Sequence, residues 1–494
     1  MLDTDVHHDA SSFGWPSPDV AERASRLVLY DALSHEAMGA LTTGVFLVGF
    51  AVALGASNFA IGVLAAVPFL AQLLQIPAVL LIERWRARRS VCVWASGIGR
   101  CFLLASAVAP LLGPEAGVMA LIGALVIHQG AAAISGCAWN SWMRDLVPPT
   151  EYGRFFGRRT AATTAVSIVM AFVGGLAVDA WKDHVPDNPA LGYSCLFATS
   201  VLIGLFGVYL LRVTPERPMP RVREYRHFFK LLAAPFLDGN FRRLILFLSS
   251  WNFAVNLATP FFTVYMLKTL GYDMTVIISL TIISQLSNLA ALGIWGTLID
   301  RFSNKAVLRI SAPLFLACIL GWTFTGVSWA QPIMLYLLGA IHVLMGLSTA
   351  GVVLASGNIA MKLSPEGEAT AYLAANSVVT STCAAAAPII GGIGADFFAS
   401  HQLTLPFTWT GWAQDVTVQV LKSQVWTFLF GLACVLGLYS MHRLSFVEET
   451  GRTSDHVVLR HLLLEVRRSV QSLSRAASLL HIVRLPQYRY LDEQ

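Results

Sequence analysis

Long, uninterrupted apolar stretches constrain this chain more than any other feature of its sequence. Twelve of them are long enough to cross a bilayer as a helix, which takes about 20 apolar residues. They do not alternate between apolar and polar positions, as the strands of a membrane β-barrel do. We therefore predict an all-α polytopic membrane protein with twelve transmembrane helices, called spans 1 to 12. Their predicted bounds are 34–56, 57–82, 91–112, 117–143, 159–181, 191–213, 243–266, 274–298, 307–327, 332–358, 371–397 and 421–443.

Composition leads to the same class. Of the 494 residues, 55% are hydrophobic and only 13% are charged, whereas soluble domains carry about 25% charged residues. A soluble fold cannot hide that much apolar surface, because part of every fold must face water. A cytosolic enzyme, a secreted domain and a disordered chain are therefore excluded.

The distribution of Lys and Arg predicts the orientation, because these residues are enriched in cytoplasmic loops. With both termini in the cytoplasm, the cytoplasmic segments hold 30 of the 34 Lys and Arg residues. The opposite side holds only Lys182, Lys268 and Lys422, and Arg100 falls inside span 3. One missed span would destroy this asymmetry, so it supports both the helix count and the orientation.

An internal repeat divides the chain into two halves. Three landmarks coincide at a shift of 217 residues. Glu83-Arg84 corresponds to Asp300-Arg301. The group Leu146, Pro148 and Glu151 corresponds to Leu363, Pro365 and Glu368. The pair Gly174-Gly175 and the following Asp179 correspond to Gly391-Gly392 and Asp396. Two homologous bundles around a central path are typical of transporters that work by alternating access.

The repeat and the loops together predict the domain organisation. Two six-helix bundles, 34–213 and 243–443, are joined by a cytoplasmic middle loop, 214–242. A cytoplasmic N-terminal segment, 1–33, precedes them, and a cytoplasmic tail, 444–494, follows. The spacing of apolar and basic residues in the tail indicates an amphipathic helix lying on the anionic inner leaflet.

The segment from Gly296 to Lys305, GTLIDRFSNK, resembles the signature of the major facilitator superfamily, G-x-L-x-D-R-x-G-R-R/K. The copy in the first half has Val79 in place of the glycine and Glu83 in place of the aspartate. The resemblance covers residues 30–443 and implies a bacterial-type member with two pseudo-symmetric six-helix bundles. It also implies an inner (plasma) membrane protein with both termini cytoplasmic.

In this family the acidic and basic residues of the signature latch the cytoplasmic side of the outward-open state. Charge-assisted bonds that form in only one conformation bias a two-state equilibrium. The alternative is a topology determinant that only holds positive charge inside. The gating residues that the resemblance implies are Glu83, Arg84, Arg144, Asp300, Arg301 and Lys305.

Three ionisable residues lie deep inside spans, away from the ends, where a charge costs around 3 kcal/mol on insertion scales. Arg100 lies in span 3, His128 in span 4 and His342 in span 10. Arg100 and His128 are candidates for coupling to protons, together with a carboxylate partner. The alternatives are a structural salt bridge for Arg100 and core histidines that bond to a neighbouring carbonyl.

Polar side chains are concentrated on the spans that line or flank the central cavity in the superfamily. Amides and tryptophans suit a hydroxyl-rich or amphipathic solute through hydrogen bonds and ring stacking, although amides also bond helices to one another. Asp179 and Asp396, at the outer ends of spans 5 and 11, are interpreted as marking the water interface. The predicted substrate-binding residues are His128, Trp139, Asn252, Asn256, Gln285, His342 and Asn376.

We therefore expect a secondary active transporter, a symporter or antiporter, that moves a small polar or amphipathic solute by rocker-switch alternating access and is coupled to H+. No P-loop, HExxH or GxSxG motif occurs in the sequence, so we expect no enzyme activity, cofactor or metal. Membrane lipids are the expected surroundings of a monomer, with no nucleic-acid partner. A superfamily-derived assembly or sensor protein and a lipid translocator are the alternatives.

Overall fold

The computed structural model describes residues 18–146, 152–216, 228–325, 333–365, 368–399, 403–410, 415–423 and 425–449. Within these residues, eleven helices are long and apolar enough to cross a membrane, and a pair of helices bent by 42° supplies a twelfth span. The prediction of a polytopic helical protein with twelve spans is confirmed.

The twelve spans follow the predicted order, and three of them are built from two pieces. Span 1 consists of Pro18–Thr42 and Gly44–Ala53, span 2 of Asn58–Gln72 and Gln75–Trp85, and span 3 of Arg88–Ala105 followed by the 3-10 turn Ser106–Leu112. Spans 4 to 12 are Pro114–Leu146, Tyr152–His184, Pro189–Val213, Gly239–Lys268, Met274–Arg301, Asn304–Thr323, Met334–Leu363, Ala369–Ala399 and Val425–Ser445. A short helix, Phe228–Leu237, precedes span 7.

Span 1 begins well before the position expected from the sequence, at Pro18 rather than near residue 34. Ala24, Val28 and Ala32 recur at helical spacing and are each at most 1% exposed, so this stretch has a buried face that packs against spans 5 and 6. The extension places Asp31 within the span.

A β-hairpin stands where the sequence predicts a loop near 398–420. Strand β1, Leu403–Thr410, pairs with the antiparallel strand β2, Asp415–Ser423. The register shifts between Leu405 and Pro406, as expected of a proline that cannot donate to the ladder. Span 12 consequently starts at Val425 instead of residue 421. The predicted tail helix and residues 217–227 of the middle loop lie outside the described residues.

Spans 1–6 form one lobe, the N-lobe, and spans 7–12 form the other, the C-lobe. Span 2 packs on span 11, and span 5 packs on span 8. The approach is closest where a Cβ at Gly62 would meet the backbone carbonyl of Pro388 and a Cβ at Gly392 would meet that of Asn58. Only glycine permits such contact between backbones.

The lobes have two different ends. We call the end with Asn58, Asp179, Met274 and Asp396 the clasped end. The opposite end, which carries most of the basic residues of the loops, is the basic end.

Glu449, which follows span 12, binds two other elements at the basic end of the C-lobe, spans 9 and 10. Its carboxylate accepts hydrogen bonds from the backbone N–H of Lys305 at 2.7 Å and from the side-chain amide of Asn304 at 2.9 Å, both at the start of span 9. It also pairs with Lys362 of span 10 at 2.9 Å. Burial by itself raises the pKa of Glu449, but these donors outweigh it and hold the pKa below the ordinary 4.5.

We predict that Glu449→Gln lowers the stability of the protein by about 1–2 kcal/mol at neutral pH, because a buried charge-assisted cap is lost. Since the carboxyl has a lowered pKa in the folded state, its contribution is present above pH 4.5 and is lost as the pH falls through the lowered value. Thermal unfolding in detergent at pH 7 and at acidic pH measures both effects.

Glu448→Gln is the matched control. Glu448 pairs with Arg243 at 2.9 Å, but its side chain is 80% exposed, against 1% for Glu449, so its loss should be nearly neutral. Equal destabilisation by the two substitutions would contradict the role of Glu449.

Candidate functional site

A cavity of about 200 Å³ lies inside the N-lobe and is lined by charged and polar side chains. Spans 1 and 5 form one side of it, spans 3 and 4 form the other, and span 6 closes the back. The exposed side chain of His35 lies at its edge. The polar lining residues are Asp31, His35, Ser96, Arg100, His128, Ser135, Trp139 and Arg159.

Asp31 is the acidic group of this cavity. Its side chain is only 5% exposed, and its buried Oδ1 atom accepts no hydrogen bond. Within the described residues it forms no ion pair either. An ionised carboxylate without partners is costly in an apolar lobe, so Asp31 is poised to take up a proton or a donor group.

Arg100 lies fully inside the lobe and does not reach the interface. It is 4% exposed and donates from Nη1 to the backbone carbonyl of Gly204, while its Nη2 lies 3.3 Å from Nδ1 of His35. A Cβ at Gly207 would be 3.0 Å from Oδ1 of Asp31 and 3.2 Å from Nη1 of Arg100. Glycine at this position of span 6 therefore leaves room for both charged groups.

Arg159 and Trp139 form the wall of the cavity that lies towards the basic end. The guanidinium carbon of Arg159 is 4.8 Å from the centroid of the Trp139 ring, a cation–π contact. Its buried Nε atom has no hydrogen-bond partner, and the same is true of Nδ1 of His128. Together with Asp31, whose Oδ1 is also unsatisfied, three residues that line this cavity thus each carry a buried polar atom without a partner.

The predicted binding residues of span 7 use their donors within their own helix. The side-chain amide of Asn252 donates to Leu248 O at 2.8 Å, and that of Asn256 donates to Asn252 O at 2.8 Å. Both side chains are half-buried, so the carbonyl oxygen and the second N–H of each amide are left for a solute.

The other predicted residues of the C-lobe are dispersed. His342 is buried, with Nδ1 2.8 Å from Leu338 O and its ring against Trp322, which matches the alternative of a satisfied core histidine. Gln285 is exposed on span 8. Asn376 on span 11 has a buried Oδ1 without a partner. The structure thus unites His128, Trp139 and Arg100 around one cavity, whereas His342 lies within the C-lobe.

The predicted gating residues lie at the basic end, where the lobes are apart. Glu83 is half-buried, whereas Arg84, Arg144, Asp300 and Arg301 are exposed.

Around Asp300, the described part of the chain supplies no ion-pair partner. Lys305 donates to the backbone carbonyl of Ser445, the last residue of span 12, at 2.9 Å and to that of Val447 in the segment that follows. In these contacts the motif holds its own lobe together.

Asp179 and Asp396 join the lobes at the clasped end, in contrast to the interpretation that they only mark the water interface. Asp179 of span 5 accepts hydrogen bonds from the backbone N–H groups of Met274 at 2.9 Å and Thr275 at 2.7 Å, the first residues of span 8. Asp396 of span 11 accepts from those of Asn58 at 3.0 Å and Phe59 at 2.8 Å, the first residues of span 2. Each lobe therefore caps a helix N-terminus of the other.

The lobes separate towards the basic end. Spans 5 and 8 leave between them an opening of about 640 Å³, lined on span 5 by small residues such as Gly157 and Ala161 and on span 8 by Leu286 and Leu289. Those two leucines are 50% and 52% exposed. Among the described residues, hydrogen bonds thus join the lobes at the clasped end, and an opening separates spans 5 and 8 towards the basic end.

Sequence reasoning missed Asp31, His35 and Arg159. The predicted bounds leave Asp31 in the segment before span 1 and put His35 and Arg159 at the first residues of spans 1 and 5, where charged and polar side chains are ordinary. The apolar run Leu27-Val28-Leu29-Tyr30 just before Asp31 is the signal that the helix extends further back. Nothing in the spacing of Arg159 distinguishes it from Arg158.

Comparisons with known proteins agree with this architecture. A family model described as the Major Facilitator Superfamily matches residues 36–391 and 247–454, and the chain belongs to this family. No curated protein matches the sequence.

Several solved transporters have a similar fold. The nucleoside transporter NupG has a TM-score of 0.63 at 14% identity, covering 86% of this chain and 99% of NupG. A bacterial homologue of the iron transporter ferroportin in an inward-facing state has a TM-score of 0.60 at 14% identity, covering 88% of this chain and 100% of the homologue. A D-xylose–proton symporter has a TM-score of 0.55 at 14% identity, covering 88% of this chain and 98% of the symporter. At these identities the likeness concerns the fold. The chain is a membrane transporter of the superfamily type.

We predict that Asp179→Ala speeds hydrogen–deuterium exchange of the amides of Met274 and Thr275 by about tenfold or more, and that Asp396→Ala does so at Asn58 and Phe59. Losing a charge-assisted cap costs about 1.4 kcal/mol or more, which corresponds to that factor. Exchange measured by mass spectrometry on the full-length protein tests this.

The exposed Asp183, one turn beyond Asp179 on the same span, provides the control substitution. Unchanged protection in both variants, or equal loss in Asp183→Ala, would show that the two carboxylates do not hold the clasped end.

Proposed function

We propose that this protein is a secondary active transporter that moves a small polar or amphipathic solute by rocker-switch alternating access, coupled to protons. The observation that carries the proposal is the N-lobe cavity, three of whose lining residues carry an unsatisfied buried polar atom, in a pair of lobes whose hydrogen bonds to each other, among the described residues, lie at the clasped end. Buried polar groups normally find partners, and a ligand that enters and leaves supplies them intermittently.

The distribution of basic residues supports the direction of opening. Lys and Arg accumulate at the basic end, so the positive-inside rule puts that end, and both termini, in the cytoplasm of an inner-membrane protein. The conformation described above is then inward-facing. The fold similarity to a ferroportin homologue in an inward-facing state is consistent with this assignment.

Proton coupling is supported by Asp31, which supplies the carboxylate partner that the sequence analysis required for Arg100 and His128. Within the described residues Asp31 forms no ion pair, so protonation would change the free energy of the cavity. The structurally similar D-xylose transporter is described as a proton symporter. A carboxyl that binds its proton only when the cavity faces one side links proton movement to the conformational change.

The solute site would use both lobes. His128 and Trp139 contribute from the N-lobe cavity, and Asn252 and Asn256 offer amide oxygens from the C-lobe. A protein that only assembles or senses a partner has no need of such a cavity, and such a protein would show no flux. A lipid translocator would move labelled lipids instead of solutes.

We predict that Asp31→Asn abolishes solute-driven proton movement but leaves exchange of the solute across the membrane, because the neutral amide cannot release a proton. Proteoliposomes that contain a pH-sensitive dye are challenged with sugars, nucleosides, peptides, organic acids and lipids. Counterflow of the same solutes measures exchange.

The exposed Glu115, at the clasped end of span 4, provides the control, since Glu115→Gln should retain both activities. Proton movement that survives in Asp31→Asn would reject the coupling role. An absence of flux for every class of compound in the wild-type protein would reject transport.

A further inference from the structure

We propose that the N-lobe cavity binds an anionic group of the solute, a carboxylate or a phosphate, and that Arg159 is the side chain that holds it. The inference rests on the proposed function and specifies the class of substrate. It follows from the charge of the cavity, from the contacts that Arg159 makes and from those that it lacks.

The cavity contains more positive than negative charge. Arg100 and Arg159 line it together with a single carboxylate, Asp31. Neither arginine approaches a carboxylate to within ion-pair distance in the part of the chain that the structure describes. Excess charge in an apolar lobe is costly, and an anionic solute would neutralise it.

The two arginines differ in what they already bind. Arg100 donates to Gly204 O and faces His35, so its position is fixed by the protein. Arg159 rests on the ring of Trp139, and its buried Nε lacks an acceptor. A guanidinium stacked on a ring can still donate from its edge, and its planar fork fits a carboxylate or phosphate with two parallel bonds.

The remaining unsatisfied atoms define the rest of the solute. Oδ1 of Asp31 needs a donor, and Nδ1 of His128 can take either role. An anionic solute that also carries a hydroxyl or amino group would supply these partners. At about 200 Å³, the cavity is smaller than the ~300–1,000 Å³ typical of pockets for drug-sized ligands, which favours small acids.

Arg158 allows a matched comparison. It precedes Arg159 on the same turn of span 5 and is exposed. A general effect of charge at the basic end would be the same for both arginines, whereas a binding role belongs to Arg159 alone.

The test uses thermal unfolding of the purified full-length protein with matched probes: lactate against lactamide, gluconate against glucose, and glycerol phosphate against glycerol. We expect at least one anion, at millimolar concentration, to raise the melting temperature, while its neutral counterpart does not. Arg159→Gln should raise the anion concentration needed for the same increase in melting temperature at least tenfold, and Arg158→Gln should leave that concentration unchanged. Comparison of carboxylates with the phosphate identifies which anion is preferred.

Arg159→Lys keeps the charge without the fork and should bind with intermediate affinity, which guards against misfolding of the glutamine variant. Protection by neutral probes alone, no protection by any anion, or unchanged protection in Arg159→Gln would overturn the inference.

The flux assay separates the two proposals. Proton-coupled flux of a neutral solute that does not depend on Arg159 would support the transport proposal and reject the anion site. Anion binding that depends on Arg159, without flux of any solute, would support the anion site and reject transport.

Discussion

The N-lobe holds charged groups in an apolar interior, and the free-energy cost of burying them is the constraint that the cavity must satisfy. Asp31 and Arg100 are about as buried as the surrounding core residues, yet they are too far apart to form an ion pair. Such a cluster is unfavourable on its own, and packed apolar residues would make a more stable lobe. Its presence is explained if a proton and a solute complete it during part of a cycle, since each then has a different affinity for the two conformations.

The proposed cycle would need lobes that can part at either end, and the contacts at the two ends differ in chemistry. At the clasped end, Asp179 and Asp396 cap helix N-termini of the opposite lobe, and the shift of 217 residues that relates the halves also relates these two aspartates. At the basic end, Lys305 and Glu449 hold elements within one lobe and leave the exposed Asp300 available for a latch in the opposite conformation. Hydrogen bonds of this kind are individually modest, so the lobes can exchange them without a large barrier.

Much of this architecture could be predicted from the sequence, because the bilayer imposes length and apolarity on every span. The helix count, the repeat and the family followed from these signals. The start of span 1 and the β-hairpin did not. A charge such as Asp31 resembles the end of a span until its three-dimensional neighbours are known, and the partners of Asp179 are backbone N–H groups, which leave no trace in the side-chain pattern. His128 and Arg100 stand out in the sequence as ionisable residues within spans, but their meeting with Arg159 around one cavity depends on packing between several spans.

The central claim is that the two ends of the lobes open alternately. Double electron–electron resonance measures this directly as distances between pairs of spin labels. One pair, at Arg158 and Thr297, spans the basic end, and the other, at His184 and Lys268, spans the clasped end. The account predicts two populations at each end that change in opposite senses with pH, and a response to pH that is lost in Asp31→Asn. A single, unchanging distance at both ends under all conditions would contradict it.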